Sequence, residues 1–451
     1  MKDRFDIKHL NEYTDLINHN SKIPLDLYEK YSVKRGLRNK DGTGVLVGLT
    51  EIGDVHGYIM EEGDKIPVQG RLRYRGYNVQ DIVKGFQHCR RHGFEETAFL
   101  LLLGDIPKTT DLDDFYAELG KRRQLPDSFA EDMILKAPSS NIMNKLARSI
   151  LALYSFDENP EDNSIPNVLA QSMNLIAQFP TIVAYAFQAK EHYFNGKSLY
   201  IHTPIPTLST AENLLLMVRP DKKFTPLEAE VLDLALVLHA EHGGGNNSAF
   251  STHVVSSSGT DTYSAMAAAV GSLKGPLHGG AAIRVREMME DLMKEVKDWK
   301  DEEEVTAYLT ATLKKQKYDK KGLIYGMGHA VYTISDPRAV LLRARAGDLS
   351  LEAGRTDEYN LYCLVEKLSQ DIFDKIKGNG KRICANVDFY SGFVYSMLNI
   401  PSELYTPIFA VSRITGWCAH RIEEIVSGGR IIRPAYKSVS VKKEYISLTD
   451  R

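Results

Sequence analysis

Cysteine and tryptophan are scarce in this chain, at four and two of 451 residues. Cys89, Cys363, Cys384 and Cys418 are far apart and form no CxxC pair. That pattern supports neither a zinc ribbon nor a disulfide frame and fits a reducing compartment. Long apolar runs are also missing. The longest, AFLLLL at 98–103, falls far short of the roughly 20 residues that span a bilayer. Neither sign of charge dominates: 56 Lys and Arg against 59 Asp and Glu leave −3. No whole-chain argument for a nucleic-acid or membrane partner survives that balance. The opening residues, MKDRFDIKHLNEYTDL, have no signal-peptide core and are not an acid-free, Arg-rich transit segment. A cytoplasmic protein is the expectation. There is no solenoid repeat, no P-loop and no GxGxxG after a strand.

What remains is ordinary globular sequence, 43% hydrophobic and 25% charged. Its length suits two or three structural units at about 150 residues each. Brief alternation in IPVQGRLRYRGY (66–77) suggests a short hairpin. The rest reads as helical. Thr225-Pro226-Leu227-Glu228 is a capping box with proline in the first turn. The helix it opens is predicted to run through His242 and stop at Gly243–Gly245. It is apolar all round, so it should be central. A second helix, 262–273, is rich in small residues and can pack closely. Further helices are predicted at about 283–297, 302–316, 337–346, 357–377, 389–398 and 407–426, the last capped by Thr406. The expected fold class is all-α. An arm over 1–43 should precede a large helical domain of 44–281 and 393–451, with a smaller helical domain, 282–392, inserted.

Three histidines sit beside glycine: His242 in HAEHGGGNN, His278 in GPLHGGA and His329 in GMGHAV. Glycine there permits close approach of a ligand to the backbone. A histidine in such a place is also commonly a cap or a core residue. His278 precedes a predicted helix, whose positive end disfavours imidazolium. A neutral imidazole can donate to a carbonyl or enolate oxygen. Asp388, in ANVDFYSG, is either an N-cap or a general base. Arg338 stands at the helix start marked by Pro337, suited to a carboxylate. Arg413 has apolar neighbours that suggest burial, and Arg433 follows the Gly428-Gly429 break. Each arginine must be weighed against an ordinary surface residue. His239 and His242 at i, i+3, with His253 beyond, could ligate zinc. HxxH is weak alone, and no carboxylate completes HExxH. No metal is expected.

Taken together, GRLRYRGY (70–77), HAEHGGGNNSAF (239–250), GPLHGGA (275–281), GMGHAVYTISDPR (326–338), NVDFYSG (386–392), FAVSRITGW (409–417) and RIIRP (430–434) resemble the citrate synthase family. The resemblance runs from about residue 44 to 440. It implies a helical homodimer with a large and a small domain and a site in the cleft between them. It implies condensation of acetyl-CoA with oxaloacetate and water to citrate and CoA, a step of the tricarboxylic acid cycle. His278 would stabilise the enolate, Asp388 would remove the methyl proton and His329 would polarise the ketone. His242, Arg338 and Arg413 would hold the oxaloacetate carboxylates. Arg433 would reach the partner's site. No cofactor is implied, because the CoA thioester is a substrate.

One departure stands out. The family often has a basic residue just after the histidine matched by His329, whereas VYTIS has none. Lys320, Lys321, Lys377, Lys381 and Arg382 are candidate replacements for a CoA phosphate contact. The glycine-flanked loop 322–328 is a better candidate for backbone contacts. The close rival is a 2-methylcitrate synthase using propionyl-CoA, since one methylene is worth only about 1–3 kcal/mol. The rival of another class is a non-catalytic helical interaction protein, which would be expected to have lost one of His278, His329 and Asp388.

Overall fold

The computed structural model describes residues 7–62, 64–377 and 382–450. The chain forms two compact units that meet at Leu49/Thr50. In the first, helices Ile7–Ser21 and Leu25–Lys30 precede a turn closed by the Arg38–Gly44 bridge and by Val45 N–H donating to Leu37 O. Those two bonds tie residues 44–45 back to the arm, so the unit outruns the expected 43 residues.

The second unit is built on helices, as an all-α class requires. Thr225 accepts from Glu228 N–H and Glu228 accepts from Thr225 N–H, so the capping box forms. The helix it opens, Pro226–His239, is buried on nearly every face. It ends at His239, three residues earlier than expected. Helix Tyr405–Val426 packs against it and against the long helix Ile165–Asn195. The Ala-rich helix Thr262–Lys274 lies against Asn247–Ser256 and Ile142–Leu153, as its small side chains allow. The final helix begins at Tyr405, not Pro407. Thr406 does not cap it: its hydroxyl donates to Gly279 O at 2.7 Å.

The expected hairpin is longer than its alternation suggested. β1 (Gly53–Glu61) pairs antiparallel with β2 (Asp64–Tyr74), which pairs with the short β3 (Tyr77–Asn78). Register shifts between His56 and Tyr58, and that irregularity breaks the period-2 signal. The segment 331–337 lies directly on this sheet. A Cβ at Gly57 would stand 2.8 Å from Val331 O, and one at Gly70 would stand 2.7 Å from the Tyr332 ring. Ser335 Oγ donates to Gln69 Oε1 at 2.6 Å and accepts from Gly70 N–H at 3.3 Å. The sheet is thereby a floor for the loop between His329 and Arg338.

Gly392 marks a comparable contact between helices. A Cβ there would stand 2.8 Å from Ala282 O, so helix Val387–Met397 touches the start of Ala281–Glu295 backbone to side. Alanine should gain about 1 kcal/mol in helix propensity. Forcing two packed helices apart should lose about 1–3 kcal/mol. Gly392→Ala is therefore expected to lower the midpoint of thermal unfolding. A midpoint equal to or above that of the parent chain would show that the two helices separate freely.

Candidate active site

Two arginines define the buried floor of the site. Arg413 is 2% exposed on helix Tyr405–Val426. Its Nε donates to the carbonyl of His239, and its guanidinium lies 4.5 Å from the centre of the Phe409 ring. Burial pushes its pKa down to about 10, against the pull of Glu241. Arg338 is 4% exposed in the first turn of helix Pro337–Glu352. Asp336 caps that helix and grips the guanidinium through Nε (3.0 Å) and Nη2 (2.7 Å). The forked pair holds Arg338 charged despite burial. The two guanidiniums act on each other, since Arg338 disfavours the charge of Arg413.

His242 lies past the helix end and not on its face. Its ring is 5.1 Å from that of His329, nearly perpendicular. Burial first, then Arg338, holds its pKa well below the usual histidine range. Its Nε2 is buried with no protein hydrogen-bond partner among the described residues. His329 stacks on Tyr332 at 4.7 Å. Its Nδ1 accepts from the N–H groups of Val331 and Tyr332, each at 3.1 Å. A nitrogen that accepts two amides carries no proton, so the ring's proton sits on Nε2.

His278 sits in the turn after helix Thr262–Lys274, with Gly280 capping the next helix, Ala281–Glu295. Its Nε2 is 2.8 Å from Ser248 Oγ. Burial, assisted by Arg413, pushes it down to about 4. Asp388 is not the cap of its helix. Asn386 is the cap and accepts from Asp388 N–H, which puts Asp388 inside the first turn of Val387–Met397. Asn386 Nδ2 also donates to Gly328 O at 3.0 Å, and Gly328 N–H donates to Cys384 O at 2.8 Å. These bonds join the His329 loop to the Asp388 turn. Burial pushes the Asp388 carboxyl up to about 6, with Arg338 and Arg413 opposing and Asp336 reinforcing.

Arg413 thus acts on His278, His242 and Asp388 alike. Arg433 does not join this set. It is exposed in an extended segment, anchored nearby by Ile432 N–H to Ser257 Oγ. The weighed metal triad is not assembled either. His239 is buried, 3.2 Å from Tyr395 OH, while His253 faces His420. Among the basic candidates for a CoA phosphate contact, Lys320 and Lys321 are exposed, and Arg382 lines a cavity with Thr333, Asp371 and Asp374. Lys381 and the side chain of Lys377 lie outside what the structure describes. Gly322, Gly326 and Gly328 all have positive φ (74°, 77° and 95°), so that loop does need glycine.

Sequence reasoning missed Asp336, Asn386, Glu241 and Ser248. The first two sit in strong capping positions ahead of Pro337 and Asp388, a signal that was open to reading. Glu241 stands between two flagged histidines with nothing local to mark it. Ser248 reaches His278 only through the fold.

The arrangement is therefore a buried carboxyl, imidazoles with lowered pKa and two guanidiniums. The family model "Citrate synthase, C-terminal domain" matches residues 40–435. Citrate synthase of Deinococcus radiodurans is 35% identical over 384 residues, 85% of this chain and 93% of the relative. A 2-methylcitrate synthase of Shewanella oneidensis is 32% identical over 374 residues, 82% and 90% of the two chains. The crystal structure of citrate synthase from Pyrobaculum aerophilum superposes with a TM-score of 0.73 at 29% identity, over 90% of this chain and 94% of that one. The citrate synthase of Thermoplasma acidophilum, solved as a ternary complex with carboxymethyl coenzyme A and oxaloacetate, gives 0.74 at 25% identity over 93% of this chain and 99% of that one. The chain belongs to the citrate synthase family.

Proposed function

We propose that this protein condenses acetyl-CoA with oxaloacetate and water to give citrate and CoA. The observation that carries the reading is a buried carboxyl, Asp388, raised to about 6 beside Arg413, which also acts on the imidazoles of His242 and His278, both shifted toward the neutral form. A thioester methyl is a weak acid. A carboxylate can deprotonate it only if the enolate oxygen is stabilised as charge develops. Asp388 takes the methyl proton, and His278 supplies a neutral hydrogen-bond donor to the oxygen. The His329 Nε2–H donates to the ketone of oxaloacetate. Arg338, Arg413 and the unpartnered His242 Nε2 hold the two carboxylates, which neutralises the dianion and orients the ketone. The new carbon–carbon bond forms between the methyl carbon and that ketone. Water then cleaves the thioester and releases CoA, which makes the sequence effectively irreversible. No metal or cofactor enters.

The reading includes a homodimer, supported by the exposed apolar side chains of the extended C-terminal segment, Tyr436, Val441 and Tyr445. Arg433 then reaches the partner's site. It also includes a cytoplasmic location; no helix among the described residues is long and apolar enough to cross a membrane. A small domain over 282–392 closes on the rest before acetyl-CoA reacts, which protects the enolate from water. The Shewanella oneidensis relative keeps propionyl-CoA as the second reading. The relative kcat/KM for the two thioesters, read by thiol release, decides between them, and acetyl-CoA is expected to win. A chain that releases no thiol from either would be the non-catalytic protein.

Three outcomes are expected. Asp388→Asn should keep its melting temperature, because Asn386 caps the helix, and lose about 10²–10⁴-fold in kcat; retained turnover would make another group the base. A base works ionised, so kcat/KM should fall as pH drops through about 6, whereas His278, followed by NMR, should stay neutral at pH 7 and titrate near 4. Mixing inactive His278→Ala and Arg433→Ala subunits should restore one working site per hybrid dimer. No recovery from verified hybrids would remove Arg433 from the partner's site.

A further inference from the structure

A buried chain of acids and imidazoles lies behind Arg413, and no step above uses it. Glu241, between the flagged histidines, is 1% exposed. Its Oε1 accepts the N–H of Gly243, and its Oε2 is 3.1 Å from Nε2 of the fully buried His420. His420 Nδ1 is 3.1 Å from His253 Nε2, and His253 Nδ1 is 2.8 Å from Glu424 Oε2. Glu423 Oε2 stands 3.7 Å from His420 Nδ1, while its Oε1 accepts from Glu51 N–H. One placement of protons fits the chain. His420 is charged, with Nε2 in an ion pair with Glu241 and Nδ1–H donating to His253; His253 donates Nδ1–H to Glu424. Both members of the inner pair agree with this. Despite burial, His420 is raised to about 9 by Glu241 and Glu423, and Glu241 is lowered by His420.

The backbone leaves room for this carboxylate from two sides. A Cβ at Gly53 would stand 2.8 Å from Glu241 Cγ and 2.9 Å from Oε1, and one at Gly416 would run into Oε2 and Ala240 O. Gly416 is three residues after Arg413 and four before His420, on one face of one helix. Glu241 therefore lies against Gly416, about one turn past Arg413 on that helix, and His420 follows about one turn beyond Gly416. Glu241 is also the leading group that favours the charge of Arg413, against Arg338.

We propose that Glu241, held by His420, is the resident counter-ion of the Arg413 subsite and sets how tightly that subsite takes a dicarboxylate anion. It is a positioning residue, and the inference rests on Arg413 being a carboxylate holder. The sign of its effect separates it from a structural role. An anion beside Arg413 stabilises the empty site and competes with an incoming carboxylate. Glu241→Gln keeps the shape: its amide oxygen accepts from Gly243 N–H, and its amide nitrogen donates to a now neutral His420. The nearer charge is the one lost, so Arg413 attracts an anion more strongly. His420→Gln leaves Glu241 without its cation, and the subsite repels an anion more. A loosened loop would weaken binding in both variants.

Oxaloacetate titrated calorimetrically into the whole chain tests this. Its Kd should fall at least about threefold in Glu241→Gln and rise at least about threefold in His420→Gln, the effect of one partly screened charge. The KM for acetyl-CoA should stay within about twofold by the same reckoning. Shifts of the same sign, or Kd values unchanged in both, overturn the proposal. Should Glu241→Gln fail to fold, His420→Lys decides against His420→Gln: the restored cation should return the parent affinity, and equal losses overturn the idea. Failure of the parent chain to release thiol while it still binds oxaloacetate would refute the proposed reaction alone.

Discussion

Two buried guanidinium groups stand close enough to oppose each other's charge, and most other features of the site follow from holding them there. Each charge opposes hydration loss, and Arg338 opposes Arg413 as well. Asp336 fixes one by a two-point grip, and Glu241 faces the other. The same positive field acts on every titratable neighbour. It reinforces burial in keeping His239, His242 and His278 uncharged. It opposes burial at Asp388, which stops the carboxyl near 6 and short of permanent protonation. The neutral imidazoles and the raised carboxyl are thus consequences of one placement of charge. Protein interiors rarely keep like charges together without a ligand of opposite sign. A doubly negative keto acid is the ligand that would relieve this one.

The helix caps connect that charge arrangement to the fold. Asp336 both caps Pro337–Glu352 and binds Arg338, so the start of the helix and the direction of its arginine are set together. Asn386 caps Val387–Met397 and also holds the Gly328 carbonyl, one residue before His329. Asn246 caps Asn247–Ser256, the helix whose Ser248 meets His278. A cap has fixed geometry within a fraction of a turn. Side chains hung beside it inherit that precision, which loops alone do not give.

Helix content and most of the side chains that gather around Arg338 and Arg413 were legible because both are written locally. Thr225, Pro226 and Glu228 mark one helix, Pro337 marks another, and glycine flanks each histidine. Local signals failed where a distant partner decides. Thr406 looked like a cap, but Gly279 O takes its hydroxyl. Asp388 looked like a cap, but Asn386, an equally good one, stands two residues earlier. His242 fitted a helical spacing until Glu241 bound Gly243 N–H and turned the chain. Arg433 stands exposed, apart from the buried arginines, and its sequence neighbourhood did not say so.

The small sheet, the poorest reading from sequence, has its reason in the tautomer of His329. For Nδ1 to accept from two successive amides, residues 329–332 must curl tightly enough to aim both N–H groups at one ring. Such a turn exposes its outer face, and Tyr332, which stacks on that ring, must be covered there. β1 and β2 provide the cover. Gly57 and Gly70 offer bare backbone to Val331 and Tyr332, and the Tyr332 hydroxyl donates to Arg71 O at 3.3 Å. Tyr332 is left with no exposed surface. A helix would present side chains at 3.6-residue spacing and hold the loop off. A glycine-bearing hairpin presents a flat surface, at the expense of the alternation by which strands are read.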